Sequence, residues 1–244
     1  MNLTYIHTPD FLISAYHVMT CVEVPVHMFA FYCILFKTPA FMRSVKWSMC
    51  NLHFWSMCMD VSISLLTAPF VLYPSLAGLT LGILKDSPVP TTIQVYLIVG
   101  FFNAVDVAFL TIFENRYNLL FAQKSEWSRV RIPFLALNYT LAFVTFIPSY
   151  LKVPEQSEAV KHVFETLPEL PSYLYTAPIF VLASDFMDVV LPVVFMIVLT
   201  STESFVIIRK IHSNMNVMSK RISLSKHTFQ LHKRFLMAIC VQVC

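Results

Sequence analysis

The sequence is short of what a water-soluble chain depends on. Of its 244 residues only 13% are charged, about half the share usual in soluble domains, while 57% are hydrophobic and mean hydropathy is +0.67. So few charges cannot cover a globule in water, which excludes a disordered tail, a secreted disulfide scaffold and a nucleic-acid module. The net charge of +3 is too small to argue for a polyanion partner. Glycine is scarce, three in all; Gly100 falls in an apolar run and Gly78 and Gly82 in or near a connection, so glycine-rich phosphate loops are excluded. No HExxH, CxxC or GxSxG occurs, and the GxGD pattern of intramembrane aspartyl proteases is missing. An enzyme has no residues to stand on, and neither a metal nor a cofactor is expected.

What the chain does have is length of apolar run. A bilayer core of about 30 Å takes roughly 20 apolar residues in helix. Five stretches meet that, at about 11–36, 49–74, 91–113, 132–151 and 173–202, and a partial sixth covers 235–244. Val, Ile, Phe and Tyr are plentiful, so strand is the competing reading. Membrane barrels, however, show alternating segments of about ten residues, and these runs are apolar all round for twice that. The expectation is an all-α fold, a multi-span membrane helical bundle forming a single domain over 1–244. Pro25, Pro69, Pro178 and Pro192 fall in or near the ends of spans and predict kinks, which a bundle tolerates where neighbours re-satisfy freed carbonyls.

Orientation follows from Lys and Arg. Fourteen of the seventeen lie in the connections after spans one, three and five, against Lys85, Lys152 and Lys161 on the other side. Asp10, Asp86, Glu155, Glu158, Glu165 and Glu169 collect on that other side as well. The N-terminus is therefore expected outside, with the first span an uncleaved helix. The sequon Asn2-Leu3-Thr4 then becomes a glycosylation candidate at Asn2, whereas Asn138-Tyr139-Thr140 lies within a span and is expected to be silent.

Charges within spans are costly and by default functional. Asp60 and Asp106 stand on spans consecutive in sequence and could share a polar pocket with Asn103. Asp185 and Asp188, three apart, share a face of the fifth span, where two close carboxylates do not both ionise readily. Two readings stay open: an ion, proton or ligand site, or polar glue between helices. The six Cys lie in or beside spans and the eight His are dispersed, which supports neither a disulfide nor a metal site. The segment 209–234 is basic and free of acids, with Lys226, Gln230, Lys233 and Arg234 along one helical face and Leu224, Thr228, Leu231 and Phe235 along another. It suits a helix extending into the cytoplasm, toward a partner or anionic lipid.

At the cytoplasmic end of the third span stands Phe113-Glu114-Asn115-Arg116-Tyr117. An Arg-Tyr pair there resembles the G-protein-coupled receptors, and the longer string resembles the nematode serpentine receptors of class H, a large family of chemoreceptors. Two more segments are similar to the same family: Pro148-Ser149-Tyr150-Leu151-Lys152-Val153-Pro154-Glu155-Gln156, at the outer end of the fourth helix, and Ser225-Lys226-His227-Thr228-Phe229-Gln230-Leu231-His232-Lys233-Arg234-Phe235, leading into the sixth, with Gln242 in a matching place. Together the resemblance covers essentially the whole chain. It implies a seven-transmembrane receptor at the plasma or sensory-cilium membrane that binds a small molecule and signals to a heterotrimeric G protein. Arg116 would be the switch, and Tyr117, Lys226, Lys233 and Arg234 the further coupling surface. An arginine suits this, always charged and able to trade acceptors. The residue before it is Asn115 rather than an acid, and Glu114 points elsewhere on the helix, so the usual acid lock beside the arginine is not expected.

The resemblance calls for seven spans, and the chain supplies five and about 15 Å of a sixth. The expectation is an incomplete receptor, impaired in signalling, whose coding sequence continues past Cys244. Two other functions compete with the receptor. One is an ion- or proton-coupled transporter using Asp60, Asp106, Asp185 and Asp188 as a path, although no internal repeat is present. The other is a non-functional receptor fragment. The ligand-binding residues are not legible from one sequence.

Overall fold

In the computed structural model, which describes residues 8–39, 42–167 and 170–221, long helices pack side by side with a small sheet across one end. Among the described residues, four segments are long and apolar enough to cross a membrane: Pro9–Lys37, Thr91–Ala122, Trp127–Leu151 and Phe186–Val217. The first contains α1 (Pro9–Tyr32), which starts where Thr8 accepts a hydrogen bond from the Phe11 N–H at 3.3 Å and Pro9 enters the first turn. Proline is harmless there because first-turn N–H groups lack helical partners. Val18, Val22, Val26 and Phe29 of α1 are exposed, a greasy face that only lipid would solvate. Hydroxyls within the spans bond back one turn: Thr20 to the Tyr16 carbonyl, Thr111 to Val107 and Thr200 to Met196, each at 2.9 Å. That satisfies them without water.

The middle of the bundle is α3 (Thr91–Tyr117), packed against α2 (Lys46–Val61), α4 (Trp127–Val144) and α7 (Phe186–Arg221). Ala104, Val107, Ala108 and Leu110 of α3 are completely buried. Between lipid-solvated helices apolar burial gives no net drive, so close packing must hold them together. Gly100 shows how close: a methyl group there would stand 2.6 Å from the Phe143 ring. Toward the C-terminal end of α3, Leu110 and Phe113 pack with Ile207 and Ile211 of α7, and one layer away Val107 packs with Ala142 and Met196.

The expected second span is corrected at its far end. The helix of α2 continues through a wider π turn to Thr67 and stops at Ala68, whose φ of 42° is left-handed. Pro69 cannot prolong a helix, having no N–H to donate. The apolar run that follows instead forms β1 (Pro69–Leu72), paired antiparallel with β2 (Ala77–Thr80) in the register Pro69↔Thr80 to Leu72↔Ala77. The fifth span is corrected at its start. Residues from Tyr173 first make a 3-10 turn (Ser172–Thr176) and then β3 (Phe180–Val181), which pairs with β2; the helix begins only at Phe186. The fourth span is interrupted after Val144 and resumes as the short α5 (Ile147–Leu151). The expected loop after it contains α6 (Gln156–Thr166), amphipathic, whose Val163 packs with Leu72, Leu79, Leu174 and Val181 over the sheet. Of the prolines expected to kink helices, Pro25 and Pro192 lie inside α1 and α7, Pro69 in β1 and Pro178 in the loop before β3. The partial sixth span lies outside the described residues.

The bundle thus has a sheet end, with β1–β3 and α6, and a basic end. At the latter Lys46 donates to the Leu35 carbonyl at 2.6 Å and Asn115 to the Ser44 carbonyl at 3.0 Å.

Candidate functional site

At the basic end the last turns of α3 meet the start of α4 across a short connection. Glu114 is wholly buried. Its Oε2 accepts from Arg131 Nη2 at 2.8 Å and its Oε1 from Trp127 Nε1 at 2.9 Å. Both partners lie one turn apart on α4, so the two carboxylate oxygens are held along one helix face. Arg131 also reaches Asn115 Oδ1 at 3.4 Å. Asn115, bonded to Ser44 as well, ties α3 to the connection before α2. The Glu114 carboxylate therefore ties α3 to α4. The sequence placed Glu114 elsewhere on the helix than Arg116 but did not show its partners. A basic residue at the start of the next helix was the available signal.

Arg116 lies half-buried in the final turn of α3. Tyr117 meets the Trp127 ring edge-on, centroids 6.2 Å apart, and packs against the Leu110–Ile211 cluster. Lys226, Lys233, Arg234 and Asn2 lie outside the described residues.

The four expected intramembrane acids do not gather. Asp60 on α2 is paired with His27 of α1, Oδ2 to Nε2 at 3.1 Å; among the described residues no hydrogen bond or ion pair joins it to Asp106. Asp106 sits in mid-α3 with one carboxylate oxygen buried and without a hydrogen-bond partner. Its neighbour Asn103 donates to the Ala142 carbonyl at 3.0 Å. Asp185 and Asp188 are corrected: because α7 starts late, Asp185 lies just before its first residue and Asp188 in its first turn, at the sheet end of the Phe186–Val217 span. Asp185 caps the helix, accepting from the Met187 N–H at 2.9 Å. Asp188 accepts from Lys152 Nζ at 2.7 Å, and its carbonyl takes the Ser149 hydroxyl. That hydrogen bond, and then the carboxylate charge, raise the Lys152 ammonium above its ordinary value. A path through all four acids is not built. An acid the sequence reading left out, Glu203, lies inside α7 against Asn138 of α4 with one oxygen unpartnered; the expected span stopped one residue short of it.

The segment from Pro148 to Gln156 has a visible role. Ser149 and Lys152 hold the start of α7, and Gln156 brackets β3, its Oε1 accepting from the Val181 N–H at 2.8 Å and its Nε2 donating to the Val181 carbonyl at 3.1 Å. Two further cavities open nearby, besides one of about 420 Å³ lined by Ser149, Lys152 and Asp188. One, of about 390 Å³, lies between the β1–β2 turn, α6 and the start of α7 and includes Leu76, Glu158, His162 and Phe186. The other, of about 240 Å³, is lined by Phe70, Leu79, Val95 and Ile98 between hairpin and α3. Among the described residues no group of three or more His, Cys, Asp or Glu is placed to hold a metal ion.

Comparison with known proteins points to one family. No solved structure matches. The chain is 30% identical over 185 residues to serpentine receptor class H-72 of Caenorhabditis elegans, an alignment covering 72% of this chain and 54% of that protein. It thus spans about half the length of the curated relative. The family described as serpentine type 7TM GPCR chemoreceptor Srh matches over residues 7–244. The chain is a multi-pass membrane protein and belongs to the class H serpentine chemoreceptor family.

Proposed function

We propose that this protein is a chemosensory receptor that takes a small molecule at its sheet end and passes the change to a heterotrimeric G protein at its basic end. The N-terminus and sheet end face outside, a reading supported by the fourteen cations gathered on the other side. Asn2 is then open to glycosylation. The sheet-end cavity of about 390 Å³ has the size of a small-molecule site.

The observation that carries the reading is Glu114. A carboxylate buried completely costs several kcal/mol unless paired, and this one is paired across two helices beside Arg116. Such a pair can be closed or broken, as a switch requires. In the closed state Arg131 and Trp127 hold α3 to α4. When ligand binding shifts the helices, the pair opens, and Arg116 and Tyr117 meet the G protein together with Lys226, Lys233 and Arg234. Expression in cells with a panel of G proteins and a screen of small volatile and water-soluble compounds tests this. A compound should drive nucleotide exchange that Arg116→Ala abolishes; exchange that survives R116A refutes the role of Arg116.

A further inference from the structure

The cavity of about 420 Å³ beside Lys152 lies in a groove between two membrane-spanning segments, Trp127–Leu151 and Phe186–Val217. Neither wall is an unbroken helix: α4 is interrupted after Val144, Pro148 enters the first turn of α5, and Pro192 sits inside α7. Thr145 on one wall and Phe195 on the other lie about two turns in from Lys152 and Asp188, so the groove runs roughly 10 Å along the helices. Met187, Leu191 and Phe195 are exposed along it. The Thr145 hydroxyl is spent on the Leu141 carbonyl at 2.8 Å, and the Ser149 hydroxyl on the Asp188 carbonyl. Inward of its rim, the groove therefore offers a ligand mostly apolar surface.

The rim is charged. Lys152 follows the last residue of one span and Asp188 lies in the first turn of the other, the level at which a bilayer passes from hydrocarbon to headgroups. The Lys152 ammonium has three donors; Asp188 Oδ1 takes one at 2.7 Å, and the lysine side chain is 62% exposed. Among the described residues no hydrogen bond reaches Asp188 Oδ2. Asp185 adds a second negative charge near Lys152, with its Oδ1 held by the Met187 N–H at 2.9 Å. Ammonium donors thus stand beside carboxylate acceptors with no positive surplus. A phosphate fits the donors and a primary ammonium fits the acceptors. An anionic headgroup would meet two carboxylates, and a quaternary ammonium has no N–H to donate. The ligand that matches both the rim and the groove is a phospholipid with an ethanolamine head.

We propose that this groove holds one phosphatidylethanolamine molecule from the leaflet at the sheet end, its phosphate on Lys152, its ammonium on Asp188 and one acyl chain along Leu191 and Phe195. The site stands apart from the α3–α4 pair, so its test does not depend on G-protein coupling or on the sensed molecule. The full chain in detergent is titrated with phosphatidylethanolamine, phosphatidylcholine and phosphatidylglycerol of identical acyl chains, and bound lipid is counted by native mass spectrometry. One ethanolamine lipid should be retained about tenfold more tightly than either of the others. Asp188→Asn removes the charge that the ammonium meets and should erase that preference. Leu191→Trp, at an exposed position, should fill the groove and abolish retention of the ethanolamine lipid, and it serves as the second test should D188N fail to fold. Equal retention of the three lipids, a preference for phosphatidylglycerol, or ethanolamine-lipid binding unchanged in D188N or L191W would each overturn the proposal. A dimer of the chain that L191W dissociates would assign the groove to a second copy and overturn it as well.

Discussion

Replacing Arg131 by methionine tests the lock most sharply, because its partner has nowhere to go. Glu114 is fully buried and holds two bonds, at 2.8 Å to Arg131 and 2.9 Å to Trp127. In R131M the carboxylate keeps only the indole, and an uncompensated buried charge costs about 3–5 kcal/mol. At about 2–4 °C per kcal/mol for a chain of this length, thermal unfolding in detergent should fall by roughly 6–20 °C. Glu114→Gln is milder. Its amide oxygen still accepts from Trp127, and Arg131, whose side chain is 21% exposed, turns to water; the loss is about 1–2 kcal/mol. The double variant E114Q/R131M removes both charges, so its loss should be smaller than the sum by about 2 kcal/mol. Additivity within about 0.5 kcal/mol, or an R131M chain that melts with the parent, would refute the reasoning.

Three further outcomes follow from the packing. Gly100→Ala should cost about 1–3 kcal/mol by overpacking against Phe143, and adding Phe143→Leu should restore part of the melting temperature. Gln156→Leu removes both bonds to the Val181 backbone and should speed proteolysis at the sheet end while the α3–α7 packing stays intact; equal cleavage of parent and variant would contradict the bracket. The Lys152–Asp188 contact raises the lysine, so its contribution is full below the ordinary lysine value near 10.5 and is lost only as pH rises through the raised value. Lys152→Gln should therefore loosen the start of α7, read by hydrogen exchange, by the same factor at about pH 6 and pH 9.

Helices were legible where apolar length alone decides, as in α1, α3 and α4. The misplacements came where apolar residues are served by something other than a helix. Phe70-Val71-Leu72 reads as membrane helix by hydropathy, yet Pro69 and the left-handed Ala68 end α2 and hand these residues to a hairpin. The run from Tyr173 fails likewise because Val181 is claimed by Gln156 and β2, and that leaves Asp185 before the span and Asp188 in its first turn. Contacts between elements were harder. Glu114 and Arg131 are 17 residues apart, His27 and Asp60 further still. Only the helix pairing brings them together. Composition shows that a polar group within a span needs a partner; it does not show which one.

We propose that Glu114 holds the receptor closed and that Arg116 acts when it opens. Ligand-free nucleotide exchange in membranes carrying a G protein tests this, compared for the parent chain, E114Q and E114Q/R116A. E114Q should raise exchange above the parent, and the added R116A should return it to background. Exchange equal in E114Q and parent, or undiminished in the double variant, would contradict it.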